Sequence, residues 1–212
     1  MTSPTGARVE RRAIPLWIAP TFLLSGAAAL IYQVVWQRVL FASFGINVEA
    51  VTVVVTAFLV GLGLGSIAGG QASRNARRPV LLLFACLEFS IAAYGVISVP
   101  LFRHVSAAAA SYSTFATGVV TFALVLAPTL LMGATLPLLV AYSVRASGNV
   151  GRSVGWLYFV NTAGSAVAAI LSVLLLMGDF GELGSVRIAA LTNACVGAFV
   201  LLQHFRQTGR RR

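Results

Sequence analysis

The sequence predicts an all-α integral membrane protein with six transmembrane helices. Three observations carry this. Of the 212 residues, 58 % are hydrophobic and only 9 % charged, and the mean hydropathy is +0.91, which is more apolar surface than a soluble domain of this size buries. The apolar residues gather into six runs, each near the roughly 20 residues that a hydrocarbon core of about 30 Å requires. The arginines, finally, fall between the runs or, at Arg187, at the very end of one.

Those arginines set the topology. The net charge of +10 comes from 15 arginines, with no lysine, against 5 acids. Scattered between apolar runs they form no large basic face, so the expected partner is a lipid bilayer and not nucleic acid. With the N-terminus inside, the inner segments hold Arg8, Arg11, Arg12, Arg74, Arg77, Arg78, Arg145, Arg152, Arg206, Arg210, Arg211 and Arg212. The outer segments hold Arg38, Arg103 and Arg187. That bias predicts both termini on the cytoplasmic side of a cytoplasmic (inner) membrane.

In order, residues 1–13 read as a polar cytoplasmic tail and residues 14–205 as the six-helix membrane domain. Residues 206–212 read as a basic cytoplasmic tail. The first span, Ile14 to Trp36, follows basic residues and contains Ala27-Ala28-Ala29, as a signal peptide would. It runs well past those alanines and five spans follow, so it reads as uncleaved. The second span is Val51 to Ala72 and the third Val80 to Phe102. Residues 105–115 are small and weakly apolar, an interfacial helix or an extension of the next span. The fourth span, Val119 to Val140, contains Pro128, Gly133 and Pro137, and each proline removes a helix hydrogen bond, which predicts a kink or local unwinding. The fifth runs from Val154 to Met177 and the sixth from Val186 to Phe205. Small-residue runs in the second and fifth spans are a faint echo of an internal repeat.

The stretch Gly61 to Pro79, GLGLGSIAGGQASRNARRP, organises the rest. Gly61, Gly65 and Gly69 recur every fourth residue, with Ser66 and Gly70 in a second column, giving a flat helix face that another helix can approach closely in lipid. The stretch then turns polar at Arg74, Arg77 and Arg78, as a helix does on reaching the cytoplasm and making a short basic turn.

Few residues offer chemistry. Cys86 and Cys195 lie in apolar runs and indicate neither a disulfide framework nor a metal cluster. His104 and His204 have no carboxylate at ligand spacing, and no nucleophile has a base and a third partner. Gly178 to Glu182 is the one glycine–acid cluster, but it lacks the strand–turn–helix setting of a nucleotide site. No catalytic, metal or cofactor site is expected. The remaining signal is the polar groups inside spans, namely Gln33, Glu88, Thr135 and Asn161. Gln33 sits toward the outer end of the first span, near Arg38, where an interhelical hydrogen bond is expected. Asn161 fits the same role, and Thr135 is placed to bond backbone freed by Pro137. Glu88, the one acid inside a span, lies about 14 Å past Pro79 by helix rise, near the midplane. It must therefore face the bundle or a wet cavity. It is either protonated and bonded to a group such as Asn161 or Thr135, or ionised beside a cationic ligand.

Two resemblances follow. The turn after the glycine helix is similar to the loop between the second and third helices of major facilitator transporters, G-x-x-x-D-R-x-G-R-R. Gly69, Arg74, Arg77 and Arg78 fall in step with it, Ser73 stands at its acid and Ala76 at its glycine. Six helices are also half of a major facilitator fold. Three further stretches, SGAAALIYQVVWQRVL, PTLLMGATLPLL and GRSVGWLYFVNTAGSAVAA, together resemble the membrane domain of spermidine-synthase-like proteins. In these a multi-helix region precedes a soluble aminopropyltransferase domain. Gln33 stands where Glu is often found, and no soluble α/β unit is present in the sequence. The resemblance adds Arg38 and Tyr158 to Glu88, Gln33, Asn161 and Thr135 as candidates for substrate or proton contact. It implies a non-catalytic membrane subunit that assists a separate soluble aminopropyltransferase-like enzyme or handles its cationic substrate. Two other readings stand beside it: a half-size transporter, acting as a homodimer or with a second membrane subunit, and a structural membrane anchor.

Overall fold

The computed structural model describes residues 14–44, 48–75, 77–109 and 113–209. The expected tail at 1–13 and the last three arginines lie outside these residues. Six helices are long and apolar enough to cross a membrane, and the chain is an all-α, six-span membrane protein. With no water in the hydrocarbon core to bond backbone groups, apolar runs of this length close their hydrogen bonds internally, as helices.

We label the spans α1 (Ile18–Phe44), α2 (Val48–Arg74), α3 (Val80–Ala109), α4 (Thr114–Ser147), α5 (Val150–Leu171) and α6 (Gly181–Gly209). At 27 residues, α1 is about 40 Å long and exceeds the hydrocarbon core. Ser113 caps α4 by accepting from the Ala116 N–H at 3.3 Å. Gly148, at φ 69°, closes the same helix with its N–H on the Val144 carbonyl at 2.8 Å. Asn149 then caps α5 by accepting from the Arg152 N–H at 2.9 Å, so a very short turn joins the two spans.

Three expectations about the helices change. Residues 105–109 continue α3 rather than forming an interfacial helix or extending the next span. Of the kink or local unwinding expected at the prolines of the fourth span, the unwinding is absent, since α4 is α-helical through Pro128 and Pro137. The irregular turn is instead in the fifth span, where α5 passes into a π-helical stretch, Ser172–Leu176, and a last helical turn, Met177–Asp179. The sixth span continues to Gly209, into the expected basic tail.

Glycines set the closest approaches. A Cβ at Gly61 would overlap Thr129 of α4, one at Gly65 the Leu130 carbonyl and Gly133, and one at Gly69 the backbone of Ala134. The first glycine column therefore lies on α4, where missing side chains let backbones meet. The second column does not, because Gly70 has nothing within 4 Å of its Cβ position and Ser66 is exposed. A second seam joins α1 to α5, where Gly26 faces Asn161 and Gly164 faces the Leu23 backbone.

The two seams are copies. Gly133 meets Leu62 and Gly65 meets Leu130; with the same spacings, Gly26 meets Asn161 and Gly164 meets Leu23. Helices α1–α3 thus correspond to α4–α6. Exchanging them turns the α2–α4 contact into α5–α1 and the α3–α4 contact into α6–α1, and leaves α3–α6 in place; all of these contacts are present. Burial agrees. Phe22, Ile31 and Tyr32 correspond to Thr129, Leu138 and Leu139, while Phe84, Ala85, Glu88 and Ile91 correspond to Ala189, Ala190, Asn193 and Val196, and all are buried. With three spans per copy the second is inverted in the membrane. The repeat that the sequence only echoes is thus a property of packing.

At one end of the bundle Glu182, in the first turn of α6, pairs with Arg103 of α3 at 2.7 Å and Arg38 of α1 at 3.7 Å. At the other, Arg145 of α4 donates to the carbonyls of Ser73 at 2.9 Å and Asn75 at 3.3 Å. Arg38 and Arg145 are corresponding residues of the two repeats, each holding the turn that leads into the third span of one repeat.

Candidate functional site

Glu88 sits on α3 where that helix meets α6, and it is 0 % exposed. Ser25 of α1 donates its Oγ hydrogen to Glu88 Oε1 at 2.6 Å, and Asn193 of α6 donates from Nδ2 to Oε2. These are not the partners expected from the sequence. Asn161 donates instead to the Phe22 carbonyl of α1 at 3.2 Å, tying the α1–α5 seam. Thr135 donates to the Met132 carbonyl at 2.7 Å, not to the Gly133 carbonyl that Pro137 leaves without its usual donor.

Both residues that hold Glu88 also line a cavity of about 140 Å³ between the helices. Its polar wall is Ser25 and Gln33 of α1, Thr135 of α4, Asn161 and Ser165 of α5 and Asn193 of α6, with Leu62 of α2 and Ile91 of α3 among the apolar residues. All six spans contribute. The volume is close to the ~150 Å³ of a void that accepts a benzene-sized molecule. Glu88 stands one hydrogen bond behind this wall, the one buried acid among the described residues. The wall keeps unused hydrogen-bonding capacity, which is what a ligand with N–H or O–H groups requires. Asn193, 1 % exposed, has no partner for Oδ1, and the Gln33 amide has no partner among the described residues.

Of the sequence-predicted candidates, the structure brings Gln33, Thr135 and Asn161 to the cavity and Glu88 directly behind it. Gln33 is thus on the cavity wall, not bonded to another helix near the outer end. Arg38 is at the end of the bundle with a 67 % exposed side chain paired to Glu182, and Tyr158, 62 % exposed, lies on the outer surface of α5. Arg77 and Arg78 are exposed in the turn after α2 and Arg74 at the end of that helix. Ser73, at the position of the facilitator loop's acid, donates to the Gly70 carbonyl at 2.8 Å. Three site residues escaped sequence reasoning. Ser25 and Ser165 look like packing residues in small-residue runs. Asn193 has a signal that was available: it is a lone amide well inside an apolar run.

An aromatic cluster reaches the cavity through Phe58, which lines it and lies 6.2 Å from Trp36 between ring centroids. Tyr32 stacks on Trp36 at 5.0 Å, and Trp36 donates from Nε1 to Ser98 Oγ at 2.8 Å. The Tyr32 ring fills the space that the absent side chain of Gly95 leaves.

Comparison with protein families, with curated proteins and with solved structures gives no match to this chain.

Proposed function

We propose that this membrane protein holds a small cation, a primary amine, in the cavity between its six helices and handles it without transforming it. One observation carries the reading: Glu88 is the one buried acid among the described residues, and both groups that bond it line a polar cavity with unused acceptors. A buried acid in a span is expensive, and such acids mark functional sites. A primary ammonium offers one charge and three N–H donors, which matches Glu88 with Asn193 Oδ1 and the Gln33 amide. The resemblance to the membrane region of spermidine-synthase-like proteins supports a polyamine-related substrate and a separate aminopropyltransferase-like partner enzyme. The arginine bias supports an N-in, C-in orientation in the cytoplasmic membrane.

The inverted repeat favours transport as a second reading, since carriers commonly place their substrate where two inverted repeats meet, and Glu88 bonds its counterpart Asn193 at that junction. Binding is tested by thermal stabilisation of the purified protein in lipid nanodiscs on addition of butylamine. The parent is stabilised and Glu88→Gln is not; equal stabilisation of both refutes the cation site. Amine uptake by proteoliposomes separates the second reading from the first.

A further inference from the structure

A second cavity, of about 590 Å³, lies where the start of α1 passes the first turns of α5. Its size falls within the roughly 300–1,000 Å³ of sites that hold small-molecule ligands. Leu16 and Ala19 form one bank of this groove, and Arg152, Gly155, Trp156 and Phe159 the other. The α5 residues recur at helical spacing, so they lie on one stripe that descends about 10 Å from Arg152 to Phe159. The stripe is charged at the helix end and aromatic below it. The Arg152 side chain is exposed and has no bonding partner among the described residues. Trp156 stacks on Phe159 at 5.9 Å, and a Cβ at Gly155 would meet nothing within 4 Å, which leaves room beside the rings. Across from them Leu16 is 92 % exposed. The repeat shows why the groove is open. At the α2–α4 seam Val53, the counterpart of Arg152, has a methyl group 3.9 Å from the Cβ position of Gly118, so the first turns of α4 fill the corresponding space. Ile18, where α1 begins, corresponds to Val125. Among the described residues no helix therefore lies beside α5 where residues 114–124 lie beside α2.

We infer that an anionic phospholipid, from the leaflet at this end of the bundle, occupies the groove with its phosphate on Arg152 and one acyl chain along Trp156 and Phe159, bridging α1 and α5. Position and charge select this occupant. The groove opens on the outside of a six-span membrane protein, so hydrocarbon is what meets its apolar banks. This end of the bundle carries Arg74, Arg77, Arg78, Arg145, Arg152 and Arg206 and no acid among the described residues, which favours a negative headgroup. Basic pockets between spans hold acidic lipids in this way. The Arg152 guanidinium donates in a fork that fits phosphate oxygens, and the Trp156 indole N–H, without a partner among the described residues, is a donor for an ester oxygen below them. An indole suits that level, because tryptophan gathers where headgroups give way to acyl chains. Residues 1–13 join the chain at Ile14 in the groove wall, and they carry three arginines against one acid. Charge therefore disfavours that segment as the occupant beside Arg152.

The test is native mass spectrometry of the full chain, released from detergent micelles that contain equal amounts of phosphatidylglycerol and phosphatidylcholine, which counts the lipids that stay bound. The parent retains one phosphatidylglycerol in preference to phosphatidylcholine. Arg152→Gln removes the charge and lowers that preference by about fivefold or more. Gly155→Leu fills the groove and loses retention of either lipid. Arg206→Gln, at the same end of the bundle but outside the groove, binds as the parent does. Arg152 has no side-chain partner to lose and the Gly155 Cβ position is open, so both groove variants keep the parent's fold, which thermal unfolding checks. Glycerol 3-phosphate in excess does not displace the lipid, because the acyl chain supplies part of the hold. A parent without the preference, a preference unchanged in Arg152→Gln or equally lost in Arg206→Gln, or retention unchanged in Gly155→Leu each overturns the inference. Displacement by glycerol 3-phosphate overturns it too, since the site would then serve a free phosphate and not a lipid.

Discussion

Replacing Gly65 by alanine adds one methyl group at the closest backbone approach of the α2–α4 seam. Its Cβ would fall on the Leu130 carbonyl and against the Gly133 Cα. Both neighbours are backbone, so no side chain can swing aside and the two helices must part along their length. Overpacking of this kind costs about 1–3 kcal/mol, and rigid neighbours place Gly65 near the upper figure. Alanine returns about 0.5–1 kcal/mol through its better helix propensity, leaving a net loss of about 2 kcal/mol. For a chain of this length that lowers the melting temperature by about 4–8 °C. Gly155→Ala on α5 is the control, because its Cβ meets nothing within 4 Å, and it gains the propensity with no clash. Thermal unfolding of both variants in the same nanodiscs is the assay. Gly164→Ala, the repeat counterpart of Gly65, falls with it because its Cβ lands on the Leu23 carbonyl. A Gly65→Ala protein that melts at or above Gly155→Ala would mean that α2 does not touch α4 there, and the reasoning about both seams fails.

Asn193→Ala removes one of the two donors to Glu88 and lowers stability by about 1–3 kcal/mol, the cost of a buried polar group left unpaired; Asn193→Asp, two acids in contact, is worse in the same melt. Glu182→Gln dissolves both end ion pairs but costs at most about 1 kcal/mol, because Arg38 and Arg103 are largely exposed; the difference from parent shrinks as salt rises, and a loss of several kcal/mol contradicts this. Reporter fusions after residues 46, 104 and 181 report the outside, and those after 76, 148 and 210 the inside; inversion of either set overturns the arginine argument.

The residues show why some of this was legible in the sequence and some was not. The face formed by Gly61, Gly65 and Gly69 can be read from one helix alone, because a column of absent side chains is a fact of helical spacing. Glu88 is similar: its depth follows from counting residues, and its burial from the cost of a carboxyl group in lipid. Its partners are different. Ser25 and Asn193 reach it from helices far away in the chain, and nothing local encodes the register between spans. Gln33 was placed by its neighbour Arg38, but α1 is longer than the hydrocarbon core, so a residue near an arginine can still lie beside the interior cavity. The repeat escaped because its copies share burial and contact geometry, not residue identity. Glu88 corresponds to Asn193 and Leu62 to Asn161, pairs that no residue-by-residue comparison brings together. Gly26 was hidden because the alanines after it make the whole stretch look uniformly small.

The central claim is that Glu88 meets the charge of a bound amine through the cavity wall. Infrared difference spectroscopy on the protein with ¹³C-labelled glutamate carboxyl groups, recorded with and without butylamine in nanodiscs, reads that acid directly. The account predicts an isotope-shifted carboxyl difference band that appears on amine addition and is absent in Glu88→Gln. Amine binding without any such band, or the same band in Glu88→Gln, would contradict it.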